Sequence, residues 1–139
     1  MLAPAGFYAG LEADVARALD TESQLLLGGD SGLRGYPLRF QDGDRRLLLT
    51  LEQRFFGRRE FFRLFHLGAA VFFDAGSAWF EDSLADPEVL RDVGFGLRIS
   101  SSRSGGGTMV HLDLAFPLDR DRSIESESVQ WLVSTSETF

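Results

Sequence analysis

Arg45–Phe56 reads RRLLLTLEQRFF, and its side chains alternate in character. Leu47, Leu49, Leu51 and Phe55 share one parity, while Arg46, Thr50, Glu52 and Arg54 share the other. A β-strand sends successive side chains to opposite faces, whereas a helix of this length would mix the two classes around its surface. The segment therefore predicts a strand that is greasy on one face and charged on the other.

The same period-two pattern recurs on both sides of it. Phe7, Ala9, Leu11, Ala13 and Val15 alternate with Tyr8, Glu12 and Asp14. In Leu67–Trp79, Leu67, Ala69, Val71, Phe73 and Trp79 oppose Gly68, Ala70, Phe72, Asp74 and Gly76. Val93, Phe95, Leu97 and Ile99 oppose Gly94, Gly96, Arg98 and Ser100, and Val110–Phe116 alternates until Pro117 ends it. A last run carries Val129, Trp131, Val133, Thr135 and Phe139 on one parity. The expected fold is all-β: an antiparallel meander of about six long strands, with no helical crossover to support parallel pairing. The whole chain, 1–139, reads as one unit with a long inserted loop at about 20–44, rich in Gly, Asp and Ser. Gly57–Phe65 fits a helical turn, an interfacial turn or a strand extension equally well.

Composition narrows the possible functions. A formal net charge of -7 argues against a nucleic-acid surface. The absence of cysteine excludes a disulfide framework and thiol-based metal sites. No apolar run is long enough for a transmembrane helix, which leaves strand-type membrane spans open. The N-terminus has neither a basic nor an apolar leader segment, so no signal peptide is expected.

Alternation alone also fits a soluble sheet with one face on a core and one in water. Three features point to a membrane barrel instead. The polar face mixes carboxylates and guanidiniums with Gly68, Gly76, Gly94 and Gly96, as a crowded wet lumen would. The strands exceed the usual five or six residues of globular sheets and match the span a tilted strand needs to cross a bilayer. The last strand is apolar to its final residue instead of being blunted by charge. Six strands cannot close a membrane barrel, and an open edge in lipid leaves backbone groups unpaired. The expectation is therefore the C-terminal part of a longer protein.

LGGDSGLRGYP (Leu27–Pro37), VFFDAGSAW (Val71–Trp79), VGFGLRIS (Val93–Ser100), VHLDLAFPLD (Val110–Asp119) and the terminal Phe139 occur in one order along the chain. In these pieces the chain resembles the C-terminal end of the BamA/TamA-type outer-membrane protein assembly family, the bacterial surface antigen family. It is also similar to the related haemolysin-activator-type pores of two-partner secretion. The resemblance implies the C-terminal segment of a sixteen-stranded transmembrane β-barrel in the outer membrane of a Gram-negative cell. The GLRGYP loop would fold into the lumen, and the preceding strands and periplasmic repeat domains would lie outside this sequence.

Arg34 is the residue the resemblance singles out. Glycines at Gly32 and Gly35 would let the turn enter a barrel, and a guanidinium buried there needs carboxylates matching its fork. The family pattern implies Asp74, in FFDAG, and Glu52 on the preceding strand as its partners. Two registers are open. A connection centred near Arg63 sets Glu52 opposite Asp74. One centred near Glu60 sets Asp74 opposite Arg46 and Glu52 opposite Gly68. The plainer reading of Arg34 is a solvated loop arginine. Tyr36 and Pro37 would shape the loop tip.

Glu12, Asp14, Asp92, Arg98 and Asp113 read as charges of a lumen wall, and Trp79, Trp131 and Tyr8 as interfacial girdle residues. The final strand, with Trp131, Val133 and Phe139, resembles the family's C-terminal insertion signal. Glu137 departs from it, where an apolar residue is usual.

No catalytic constellation is visible, so no enzyme is expected, and no cofactor or metal site either; His66 and His111 are too few and too separated for one. The function implied is an assembly, insertion or translocation factor. Its partners would be the outer-membrane bilayer, client outer-membrane or secreted proteins, and the assembly machinery, with no nucleic acid. A passive two-partner secretion pore, or the barrel anchor of a surface-exported enzyme, shares the same motifs. A soluble β-sandwich binding module is the alternative from outside the membrane class, and it would be a monodisperse monomer in plain buffer.

Overall fold

The computed structural model describes residues 5–16, 24–61, 64–101, 107–119 and 129–138. Among these residues eight strands form: β1 (Ala5–Val15), β2 (Leu25–Leu27), β3 (Gln41–Gly43), β4 (Arg45–Phe61), β5 (Phe65–Trp79), β6 (Leu90–Ser101), β7 (Gly107–Pro117) and β8 (Gln130–Thr138). A single 3-10 turn, Gly29–Ser31, accompanies them, with no α-helix among the described residues. The six long strands make one sheet in the order β1-β4-β5-β6-β7-β8, and every pair is antiparallel. The sheet is open, since β1 and β8 do not pair with each other. The β2–β3 hairpin lies within the long connection between β1 and β4, where the sequence predicted a loop.

Register carries the alternation across the sheet in rows. One outer row runs Phe7, Gln53, Val71, Phe95, Leu114, Trp131. A neighbouring inner row runs Tyr8, Glu52, Phe72, Gly94, Ala115, Gln130. Tyr8 thus belongs to the polar face, with the Arg54 guanidinium 5.6 Å from its ring centroid, and not to an outward girdle.

Neither predicted register holds over the body of the hairpin. Thr50 pairs with Asp74 and Glu52 with Phe72, because an irregularity between Phe56 and Glu60 shifts the ladder. At the hairpin end Glu60 pairs with His66, the alignment of the first predicted register. Beyond the irregularity the strands are offset by one full pleat, and an even offset leaves the alternation of Arg45–Phe56 on its predicted faces. Gly57–Phe65 accordingly extends both strands on either side of a turn.

Burial is inverted relative to an ordinary sheet. The inner face buries Glu52, Asp74, Asp92, Arg98 and Asp113, each under 5 % exposed. The outer face leaves Phe7, Leu11, Phe95 and Trp131 more than half exposed. Among the described residues no second layer covers that outer face. An apolar cluster lies on the inner side, where Leu27, Leu33 and Tyr36 of the long connection pack on Leu48, Ala78 and Leu90, with Phe40 alongside.

The connections are sorted by length. β4–β5 and β6–β7 are joined by short connections at one end of the sheet. The β1–β4, β5–β6 and β7–β8 connections, all longer, lie at the other.

Candidate functional site

The long connection is shaped to deliver one side chain. Leu27, Leu33 and Tyr36 bury completely or nearly so, which supplies the hydrophobic drive for laying this segment on the sheet. Gly29 donates its N–H to the Tyr36 carbonyl at 3.0 Å, and Tyr36 donates to the Leu33 carbonyl at 3.0 Å, closing a compact turn. Gly32 holds φ at 96°, a conformation costly for any residue with a Cβ. A Cβ there would also lie 2.3 Å from Leu48 Cδ2. Leu33 follows at φ 44°, an uncommon value for a leucine, held by its buried side chain.

Gly35 differs from expectation. Its φ is not in the left-handed region. Its value is space: a Cβ would sit 2.6 Å from Asp92 Cβ, and the Gly35 N–H donates to Asp92 Oδ2 at 2.8 Å. Tyr36 is likewise an anchor, not a tip residue. Its hydroxyl donates to the Arg91 carbonyl at 3.1 Å and its ring lies 5.1 Å from that of Phe40. Pro37 is exposed.

With both flanks pinned, Arg34 projects onto the charged face. Its Nε and Nη2 donate to the two oxygens of Asp74, at 2.8 and 3.1 Å, a bidentate pair. Nη1 donates to Glu52 at 2.9 Å and to Asp113 at 3.3 Å. The guanidinium carbon sits 3.4 Å from the Phe72 ring centroid, a cation–π contact. Phe72 has room because Gly94 stands beside it, where a Cβ would lie 2.3 Å from Cζ. The solvated-arginine alternative does not describe this geometry.

Arg98 forms a second bridge. It is 2 % exposed, donating through Nη2 to Glu52 at 3.0 Å and through Nη1 to Asp113. Arg54 adds a third donor to Glu52, at 2.7 Å. Strands β4 and β7 would be about 14 Å apart in a flat sheet, so two arginines each touching both acids require a concave inner face. The cluster sets Arg34, Arg54 and Arg98 against Glu52, Asp74 and Asp113. Burial alone would lower the Arg34 pKa, but its hydrogen bonds to Asp74 and Glu52 and the nearby carboxylate charges hold it above its ordinary value.

Sequence reading named Arg34, Asp74 and Glu52, and the structure brings these three together. It also draws in Asp113, Arg98 and Asp92, which as sequence read only as wall charges. Their inward parity was legible; the fact that they converge was not. Arg46, offered above as a possible partner of Asp74, instead binds Asp14 at 2.7 Å and Glu12 at 3.3 Å. A cavity of about 270 Å³ adjoins the cluster, lined by Arg34, Thr50, Glu52, Asp74, His111 and Asp113 and flanked by β8.

The carboxylates of Glu52, Asp74 and Asp113 are taken up by guanidiniums, and Asp92 accepts from the Gly35 N–H. No group of acids and histidines is placed to hold a metal ion among the described residues. The arrangement can clamp the connecting segment to three different strands. On β8, Trp131 and Val133 point outward and are 79 % and 69 % exposed. Glu137 pairs with Thr108, while Phe139 lies outside the described residues. No family model matches the chain, and no curated protein or solved structure matches it.

Proposed function

We propose that this chain is the terminal part of an outer-membrane β-barrel. In this reading it serves a protein assembly, insertion or translocation factor, with the Arg34 loop locked inside the lumen. One observation carries the membrane reading: the exposed face is apolar while the charges are buried. Water would reverse that distribution, because each exposed apolar surface costs free energy and each buried charge needs a partner. Hydrocarbon outside and a wet bore inside satisfy both faces at once. Short connections at one end and long ones at the other fit the periplasmic and outer sides of such barrels.

Closure requires further strands. The outer edge of β1 would pair with strands N-terminal to this sequence, since lipid does not tolerate unpaired backbone. The outer edge of β8 would by the same argument close against the first strand of the barrel, and the assembly role rests on that seam opening to a client. An unpaired strand offers its N–H and C=O groups to an incoming strand, and alternate side chains select it.

A cysteine crosslinking experiment tests this. The chain has no cysteine of its own, so Ser134→Cys on β8 is unique within it. Paired, under a mild oxidant, with single cysteines along the terminal strand of a client under insertion, it should trap a disulfide at the directly opposed client position and not at its neighbours of the other parity. Efficient client transit with no trapped pair at any position would contradict templating and leave a passive pore.

A further inference from the structure

We infer that Asp92 sits beneath the Arg34 segment as a neutral carboxylic acid, its proton shared with Asp74, and that loss of this proton releases the segment. The inference concerns the lock itself and holds whether or not lipid meets the outer face. The buried inner face carries one acid more than its guanidiniums balance. Arg34, Arg54 and Arg98 bind Glu52, Asp74 and Asp113, and Asp92 is the fourth carboxyl group. It is 0 % exposed. Its Oδ2 accepts the Gly35 N–H, while its Oδ1 is enclosed with no hydrogen-bond partner among the described residues.

Asp74 stands directly opposite Asp92 across β5 and β6, on the same face and within hydrogen-bonding reach. Two ionised carboxylates in this position would repel with no proton between them. A proton on Asp92 Oδ1 turns the enclosed oxygen into a donor to Asp74, which stays ionised with both oxygens on Arg34. The charged and titratable groups facing Asp92 are Asp74 from β5, and Arg34 and Tyr36 from the connecting segment. β7 meets it with Pro117 and adds none. Arg34 spends its donors on Asp74, Glu52 and Asp113, and Arg91 turns to Asp119.

The segment lies directly on this acid. A Cβ at Gly35 would come 2.6 Å from Asp92 Cβ and 3.1 Å from the Pro117 nitrogen. An ionised Asp92 needs a donor or water, and water reaches it only where Gly35 lifts away. Docking of the segment and retention of the proton are therefore linked, so rising pH favours release.

Asp92→Asn is the test, because its carboxamide copies the neutral acid: the oxygen accepts from Gly35 and the nitrogen donates to Asp74. Infrared spectra of the reconstituted whole chain, with isotope-labelled aspartate, should show a protonated-carboxyl stretch at neutral pH that Asp92→Asn removes. Trypsin cleavage after Arg39, exposed on the segment, reads release. Wild-type cleavage is compared with Asp92→Asn at each pH, which cancels the response of the protease and of Tyr36. The ratio should be near one in acid and rise about tenfold per pH unit once the proton leaves. Absence of the stretch from the wild type, its persistence in the variant, or a ratio flat from acid to alkaline pH overturns the inference. Failure of Asp92→Asn to fold also overturns it, since the amide matches the acid and not an ionised carboxylate. All of these outcomes leave the membrane reading where it stands.

Discussion

The two faces of the six-stranded sheet are built from the same strands, yet they obey opposite rules. The inner face holds Glu52, Asp74, Arg98 and Asp113 out of solvent and satisfies them with one another and with Arg34. The outer face carries the apolar side chains and leaves them uncovered. In a soluble sheet the greasy face would find a second layer. Here the one inserted segment packs on the charged face, and its small apolar cluster sits at the end where Leu48 and Leu90 interrupt the polar pattern. The difference teaches that packing within the described residues orders the inner side and leaves the outer side uncovered.

The largest break in that contrast should come from Arg34→Ala. It strands Asp74, Glu52 and Asp113 with one guanidinium fewer, and a buried pair broken on one side costs about 3–5 kcal/mol. Denaturant unfolding of the lipid-reconstituted protein measures it. Arg34→Lys should recover only part, since a point charge cannot span Asp74 bidentately and reach Glu52 as well. Arg91→Ala, which removes an exposed pair with Asp119, should leave the midpoint where it is.

Leu97→Arg probes the other face. If hydrocarbon covers Leu97, the substitution costs about 2–4 kcal/mol near the bilayer midplane, whereas a water-exposed position would absorb it without loss. Unfolding in lipid compared with unfolding in a mild detergent sharpens the result.

Gly32→Ala should cost about 1–3 kcal/mol, because alanine resists a φ of 96° and its methyl meets Leu48. The loss should appear as easier proteolysis of the 24–44 segment while the strands stay protected. Tyr36→Phe should cost about 1 kcal/mol through the lost hydrogen bond to the Arg91 carbonyl. It should also change the alkaline limb of the stability profile. Burial holds the Tyr36 pKa above its ordinary 10.0, so its contribution is complete below that pH and declines as pH rises through the higher folded value. The phenylalanine variant should lack that decline.

Much of this contrast was legible in the sequence. Period-two alternation marks both faces of Arg45–Phe56, Leu67–Trp79 and Val93–Ser100, since no other element has that period, whereas Gly57–Phe65 stayed open. The register was not legible, for a specific reason. The irregularity between Phe56 and Glu60 offsets the ladder by one whole pleat, and a shift of that size leaves every parity intact. Leu25–Leu27 passed for loop because three residues cannot display a period. Leu33 and Leu48 carried no sign that they would meet. Arg34, Asp74 and Glu52 were reached through resemblance to a family, and alternation by itself gave only their faces. Asp113 and Arg98 join them through the concavity of the sheet, which no linear spacing encodes.

The most direct measurement of what touches the outer face is site-directed spin labelling of the reconstituted protein. A cysteine-free background makes each label unique. Labels at Phe95, Leu97 and Leu112 should collide readily with oxygen and rarely with a water-soluble nickel chelate, while a label at Thr50 on the inner face should not show that excess. Low accessibility to both reagents at the outer positions, the signature of burial against protein, would contradict the account, as would high nickel accessibility there.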